Sequence, residues 1–280
     1  SGGSGLLIKS DTHYQDNYSA GEASSGEWGA RTAGTHGNSL GVSMCIGALA
    51  YEETITTGAG EVSGTPAAGA TTVNVSAGGG SVGAGGAKYN VGDIVFFQEA
   101  DGQQYEVTAI NNDALTIRQL DNPNGGGLKS ALADGTDVRR RWAFYDLFDS
   151  APGTSTYATS KNVSDDEMHI VVYDKTGDIS GFRKDTAGER TNAVLETYAF
   201  LSQHPNAKTP QGGTNYYPDV IFKQSSFVFW LDHPSVLSNA GTARTSGQAY
   251  AHGDGTTGQI EFALSGGTDD YAVTVGELDS

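Results

Sequence analysis

Segments of apolar residues that favour β-strands recur along most of the chain. The segment Met168–Tyr173 is almost continuously apolar, which predicts a strand buried on both faces. Other segments are rich in the β-branched and aromatic residues that pack well in a sheet. They predict strands at Leu6–Lys9, Leu40–Ile46, Thr71–Ser76, Val91–Gln98, Gln104–Ile110, Ala114–Leu120, Val220–Phe222, Phe227–Leu231 and Ile260–Leu264.

A helix is predicted between residues 192 and 203. Its apolar residues have the i, i+1, i+4, i+7 spacing of one helical face. They are Val194, Leu195, Tyr198 and Leu201. Asn192 is suited to cap the first turn, and Pro205 would end the helix at or before His204. A second helix is predicted to begin near Thr274.

Three of the predicted strands lie close together in the chain, separated by short turns at residues 100–102 and 111–113. This spacing is typical of a small antiparallel sheet or barrel. A glycine-rich segment precedes the three strands, and Asn122–Gly127 follows them. The sequence therefore predicts a domain inserted between about 57 and 138. The 40 glycines fit a protein of β or α+β type and not a helical bundle, because glycine weakens helix interiors.

The chain is acidic, with 33 Asp and Glu residues against 16 Lys and Arg and a formal net charge of −17 over 280 residues. A nucleic-acid-binding surface normally carries a basic patch, so this balance argues against nucleic acid and against anionic membranes as partners. The one basic run is Arg139–Arg141, which we expect to pair with Asp137, Asp146 and Asp149. No apolar run approaches the roughly 20 residues that span a bilayer.

The sequence contains no recognisable pattern of metal ligands. The six histidines are scattered, and the single cysteine, Cys45, lies in an apolar segment. Asp165, Asp166 and Glu167 precede His169, but consecutive residues of an extended chain point to opposite faces and would not converge on one ion. We therefore predict no metal, no cofactor and a buried, unreactive thiol at Cys45.

Catalytic motifs are absent as well. The serines of the triplets at 37–39 and 153–155 lack the glycine pattern of a nucleophile elbow. The segment Gly79–Gly86 is not followed by the Lys-Ser/Thr of a phosphate-binding loop, and it predicts a flexible surface loop. The sequence thus predicts no catalytic residue and no enzyme. A hydrolase whose paired carboxylates are assembled in space stays an open alternative.

Two aromatic segments have two interpretations. Tyr216, Tyr217 and Phe227–Trp230 would stack on sugar rings if they were exposed, as in a carbohydrate-binding module. The alternation of residues 227–231 is more typical of a strand buried between two layers. We favour the buried strand.

Several segments occur in an order that is informative as a whole. They are GEWGARTAGTHGNSLGVSMC, VGDIVFFQEADGQQYEVTAI, RRRWAFYDLFDSAPGTS, DEMHIVVYDKTGDISG, AVLETYAFLSQHPNAK, GGTNYYPDVI and LSGGTDD. This order resembles the middle portion of the tail sheath proteins of contractile-tailed (myovirus-type) bacteriophages, especially of phages that infect cyanobacteria. The resemblance covers nearly the whole chain and depends on the order of the segments, because no single segment is as specific as a zinc-ligand pattern.

The resemblance implies a structural protein of the virion that is synthesised in the cytoplasm of the host bacterium. Subunits of such sheaths form hexameric rings, stacked helically around a tail tube. Contraction of this metastable assembly drives the tube through the host envelope without a cofactor. The resemblance also implies an α+β fold, with a mixed α/β body formed by residues 1–56 and 139–280. A small antiparallel β-barrel inserted at 57–138 would face outwards. The arms that link subunits would flank this chain, so residues 1–280 alone are expected to be monomeric.

One segment departs from the family. The charged link between Gly181 and Asn192 is longer than the resemblance predicts, which leaves its role open. The acidic, glycine- and tyrosine-rich composition also fits an alternative function, that of an extracellular adhesin or carbohydrate-binding β-rich module.

Overall fold

The computed structural model describes residues 6–21, 25–122, 125–181, 193–250 and 259–269. Within these ranges the chain combines short helices with many strands, which confirms a mixed α+β fold. The helices are α1 (Asp11–Asn17), α2 (Ala48–Tyr51), α3 (Thr156–Ser160) and α4 (Tyr217–Gln224). The strands are β1 (Trp28–Ala30), β2 (Leu40–Cys45), β3 (Glu52–Ile55), β4 (Ala59–Val62), β5 (Thr72–Ala77), β6 (Ile94–Phe96), β7 (Tyr105–Asn111), β8 (Ala114–Gln119), β9 (Val138–Arg141), β10 (Glu167–Asp174), β11 (Ala193–Ser202), β12 (Val228–Trp230) and β13 (Gln259–Ala263).

The largest sheet has seven antiparallel strands in the order β3-β9-β6-β7-β8-β5-β4. One face packs an aliphatic and aromatic core that includes Val73, Val95, Tyr105, Val107, Leu115 and Val138. Strands β3 and β4 are consecutive in the chain but stand at opposite ends of this order, and no ladder joins them among the described residues. The N–H of Val62, in β4, instead donates to the carbonyl of Thr136, just before β9.

This sheet extends beyond the predicted limits of the inserted domain. Strand β3 precedes residue 57, and β9 continues from Val138 to Arg141. The division of the chain at 57 and 138 stays a prediction.

A second sheet has four antiparallel strands in the order β11-β10-β2-β13. Every residue of β10 from Met168 to Asp174 is buried, as the apolar segment predicted. Its side chains alternate between two cores. Ile170 and Val172 pack with α4 and β12, whereas Val171 and Tyr173 pack with Trp142 and neighbouring aromatic residues. The strand therefore joins two hydrophobic cores.

The smallest sheet pairs β1 with β12, and places Trp28 opposite Trp230. Residues of β12 also alternate between cores: Val228 and Trp230 face the core under the four-stranded sheet, and Phe229 faces a small cluster with Tyr14. Trp230 is only 3% exposed. The favoured interpretation of this segment as a buried strand is confirmed.

The predicted helix at 192–203 is wrong, because residues 193–202 form the edge strand β11. Its pairing with β10 is interrupted twice by an extra residue on β11. Leu195 has no partner between the pairs Val172–Glu196 and Tyr173–Val194, and a second bulge lies between Tyr198 and Leu201. Phe200, inside that bulge, has a positive φ of 54°. These β-bulges change the spacing of the buried residues.

Two predicted strands are also wrong. Residues 6–9 form no strand; helix α1 follows them, and the hydroxyl of Ser10 caps it by accepting from the N–H of His13. Val220–Phe222 belongs to helix α4, which has Pro218 in its first turn. The other predicted strands are confirmed as β2, β5, β6, β7, β8, β10, β12 and β13, with their ends shifted by a few residues.

Side-chain contacts hold the end of one predicted loop and correct the predicted pairing of the arginine run. The loop within Gly79–Gly86 is held in place, since the carboxylate of Asp113 accepts hydrogen bonds from the N–H groups of Gly83, Gly85 and Gly86 at 2.8, 2.8 and 3.2 Å. The arginine run 139–141 does not pair with Asp137, Asp146 or Asp149 but with acids of β3 and with Asp93. A cross-strand neighbour lies nearer than the residues of the following loop.

The predicted Asn192 cap, the helix near Thr274 and most of the charged link 181–192 lie outside the described residues. Among the residues that are described, no helix is long and apolar enough to cross a membrane.

Candidate functional site

A groove of about 510 Å³ lies between β1 and β13. Aliphatic and aromatic side chains form much of its wall, including Leu6, Ile8, Trp28, Leu231, Phe262 and Leu264. The rings of Trp28 and Phe262 approach to 6.4 Å between centroids across the groove. Glycines and polar groups complete the lining, with Glu27, Asn38 and Glu261 among them. A groove of this composition suits an extended, partly apolar occupant.

Both strands that line the groove have an open edge. Within the described part of the chain, β1 is paired only with β12, and β13 is paired only with β2. Among these residues, the remaining side of each strand forms no ladder and is thus an edge of the kind to which a further strand adds. Strand addition to such an edge is a common mode of polypeptide recognition.

Trp28 provides a second unsatisfied group at the groove. Its side chain is 6% exposed, and its indole Nε1–H has no hydrogen-bond partner among the described residues. A buried donor without an acceptor costs about 1–3 kcal/mol. An occupant with a carbonyl or carboxylate oxygen near Trp28 would remove that cost.

At one end of the groove, a side chain is hydrogen-bonded to the backbone of the opposite wall. The side chain of Asn38 donates to the carbonyl of Gly267 at 2.8 Å and accepts from the N–H of Gly267 at 2.7 Å. Gly267 lies so close to the carbonyl of Gly34 that a Cβ atom at this position would overlap it. The chain after β13 is thereby fixed against the loop before β2, so the groove is preformed at this end.

The carboxylates and histidine considered as metal ligands do not form a site. Asp166 is fully buried and accepts hydrogen bonds from the hydroxyls of Ser155 and Ser202. The ring of His169 stacks on Phe148 at 4.2 Å, and its Nδ1 accepts from the N–H of Phe200 at 3.1 Å. Its Nε2 lies 2.9 Å from the carbonyl of Ser150, which makes it the donor. No group of three or more potential metal ligands occurs in the described ranges.

The nucleophile candidates are similarly engaged in structure. Ser155 caps α3 and donates to Asp166, and no imidazole is hydrogen-bonded to it among the described residues. Cys45 is fully buried, and burial raises the pKa of its thiol far above the ordinary value. The thiol of Cys45 donates to the carbonyl of Gly47, and both ring nitrogens of its cross-strand neighbour His169 are hydrogen-bonded to the backbone. Among the described residues, therefore, neither Ser155 nor Cys45 is hydrogen-bonded to an imidazole that would activate it.

The aromatic residues considered for sugar binding lie mainly in the interior. Tyr217 is fully buried, and its hydroxyl accepts from the indole N–H of Trp230 at 3.1 Å and contacts Nδ1 of His233. The hydroxyl oxygen of Tyr216 lies 3.2 Å from Nε2 of His233. This network ties α4 to β12 and leaves no flat aromatic surface for a sugar ring at Trp230 or Tyr217.

The groove between β1 and β13 was not predicted, because its two walls lie more than 200 residues apart in the chain. The aromatic and glycine content of residues 25–37 and 260–267 was visible, but nothing in the sequence pairs the two segments.

No known protein-family model matches this chain, and no curated protein is detectably similar to it.

Proposed function

We propose that this chain is a structural part of a contractile phage tail sheath, whose subunits polymerise around a tail tube and contract to drive it through the host envelope. The observation that carries the proposal is the groove between two open strand edges. A strand supplied by a neighbouring subunit would pair with β1 or β13 and bring an acceptor to the indole of Trp28. The order of sequence segments supports the same function.

The polar residues of the interior also support a structural protein. The buried Asp166 and His169 bind groups of their own chain and hold strands in place, and the half-buried Asp113 does the same for a loop. Contraction of a sheath requires rigid subunits that move as bodies, which buried polar networks favour.

The inserted, outward-facing barrel would span residues 57–138, which contain strands β4 to β8 and the start of β9. The body would be formed by residues 1–56 and 139–280. The linking arms would come from polypeptide outside residues 1–280, so these residues alone would remain monomeric. The partners would be other sheath subunits in hexameric rings and the tail tube.

The test is negative-stain electron microscopy of the whole product of the gene that encodes this chain. Hollow, striated tubes are the expected result, and residues 1–280 alone should give dispersed particles. If the whole product stays dispersed at every salt and protein concentration, the sheath function is wrong. Binding on a glycan array would then support the adhesin alternative.

A further inference from the structure

The seven-stranded sheet carries a small basic site on the face opposite its core. Cross-strand partners of an antiparallel sheet share a face, and the register places Glu52, Arg141 and Ile94 in one row. Arg139 pairs with Phe96 in the next row of the same face. We call these five residues the arginine site.

The charges of the arginine site do not balance. Arg139 and Arg141 donate to the same oxygen, Oε2 of Glu52, at 3.0 and 2.5 Å. Two guanidinium groups therefore share one carboxylate, which leaves one positive charge. Arg139 is 39% exposed along its side chain and makes no second ion pair among the described residues. Each guanidinium has five N–H donors, so several remain for an outside acceptor.

A hollow of about 160 Å³ opens beside the two guanidinium groups. Ile94 and Phe96 supply apolar wall, and the turn at Gly102 and Gln104 closes one side. A water molecule takes about 30 Å³ of liquid volume, so the hollow has room for a short side chain. An apolar wall with guanidinium groups at its rim fits a side chain with a methylene stem and a carboxylate end.

We infer that the arginine site receives a Glu or Asp side chain from a second copy of this chain. The inference rests on the proposed function, because it requires subunits that assemble. Charge complementarity identifies the occupant: the chain has 33 acids against 16 bases, so most of its surface repels another copy, whereas the arginine site attracts it. The contact would orient one acidic subunit on the next.

The first test compares variants of the whole gene product in polymerisation, followed by light scattering and electron microscopy. R139Q/R141Q should raise the protein concentration needed for polymerisation about tenfold at low salt. The matched control is K161Q/K208Q, which removes two positive charges at exposed lysines. Both variants make the chain equally more acidic, so general repulsion between subunits is the same in each.

The outcomes separate the two proposals. If wild-type protein never polymerises, the proposed function is wrong and this inference fails with it. If wild-type protein polymerises and R139Q/R141Q does so at the same concentration as K161Q/K208Q, only the inference is wrong. Thermal unfolding of R139Q/R141Q must match the control, since a misfolded variant would also fail to polymerise.

A second test identifies the occupant without relying on loss of assembly. In R139K, a carbodiimide can couple the introduced amine to a carboxylate in contact with it. Polymers made from equal amounts of ¹⁴N- and ¹⁵N-labelled subunits then distinguish a crosslink between copies from one to Glu52 of the same copy. Mixed-label crosslinks are expected. Crosslinks confined to Glu52 of the same copy, or polymers without mixed-label crosslinks, would overturn the second-copy occupant.

Discussion

Arg140, in strand β9, donates a hydrogen bond of 2.5 Å to the backbone carbonyl of Leu49, in the short helix α2. Its side chain is fully buried and also donates to the carbonyl of Ala50 at 3.3 Å. Glu53 and Asp93 lie 3.3 and 3.9 Å from its guanidinium nitrogens. Arg140 thus joins the end of the seven-stranded sheet to the chain that leads into it from the four-stranded sheet.

Replacing Arg140 by Met should lower the free energy of unfolding by about 3–5 kcal/mol, because it removes a buried cation from its ion pairs with Glu53 and Asp93 and a donor from the carbonyl of Leu49. Urea denaturation measures the effect. Arg139→Gln is the control: it removes a neighbouring arginine that is partly exposed, and should cost no more than about 1 kcal/mol. Equal losses from the two substitutions would show that burial of Arg140 has no special role.

The indole N–H of Trp28 can be compared with that of Trp142 by substitution. The Nε1–H of Trp142 donates to the hydroxyl of Ser43 at 2.8 Å, whereas that of Trp28 has no acceptor among the described residues. Phe in place of Trp142 should therefore destabilise the chain by about 1–3 kcal/mol more than Phe in place of Trp28. Chemical denaturation of both variants decides this. In assembled protein W28F should weaken polymerisation, since an occupant of the groove loses its donor.

Gly41 in β2 lies against the ring of Tyr173, and a Cβ atom at this position would overlap that ring. Gly41→Ala should destabilise the chain by about 1–3 kcal/mol, since the buried tyrosine must move within a packed core. The control is Gly153→Ala, where a Cβ atom would meet nothing within 4 Å. Thermal unfolding should show a lower midpoint for the first variant alone. Equal midpoints would mean that the ring of Tyr173 can move aside without loss of stability.

Because His169 is buried, we expect the protein to lose stability in mild acid. Burial lowers the pKa of His169, so the unfolded chain, with a pKa of about 6.5 for histidine, binds the proton more readily than the folded one. The free energy of unfolding therefore does not depend on His169 protonation above about pH 6.5, and it decreases as the pH falls below that value. Protonation would also turn Nδ1 from an acceptor into a donor facing the N–H of Phe200.

Denaturation between pH 7.5 and 5.5 tests this effect. His169→Gln should reduce the dependence of the unfolding free energy on pH by up to one proton, even if the variant is less stable throughout. His36→Gln, at an exposed position, controls for the removal of one imidazole. An unchanged pH dependence in H169Q would show that His169 does not titrate on unfolding.

Strands were predictable where one pattern decided the structure. The apolar segment at β10 and the alternating segments at β5 and β8 gave correct strands, because burial there follows a period of two or is continuous. The error at β11 has a definite cause. Its two bulges move Leu195, Tyr198 and Leu201 to intervals of three residues, which is the spacing of a helical face.

Helix α4 was missed although its signals were present. Pro218 stands in the first turn, and Tyr217, Val220 and Ile221 have the i, i+3, i+4 spacing of a buried face. The apolar segment is short, so its pattern fitted a strand as well as a helix. The groove, the Arg140 contacts and the arginine site were beyond sequence reasoning, because each depends on strands whose pairing is set by tertiary structure.

The bulges of β11 have a mechanical consequence. A regular ladder can slide by two residues and keep every side chain on its original face. In β11 such a slide along β10 would require the extra residues at Leu195 and near Phe200 to move together with the register. The pair of strands is therefore locked against shear along its length, and force applied to this edge of the sheet would pass into β10 and the two cores that it joins.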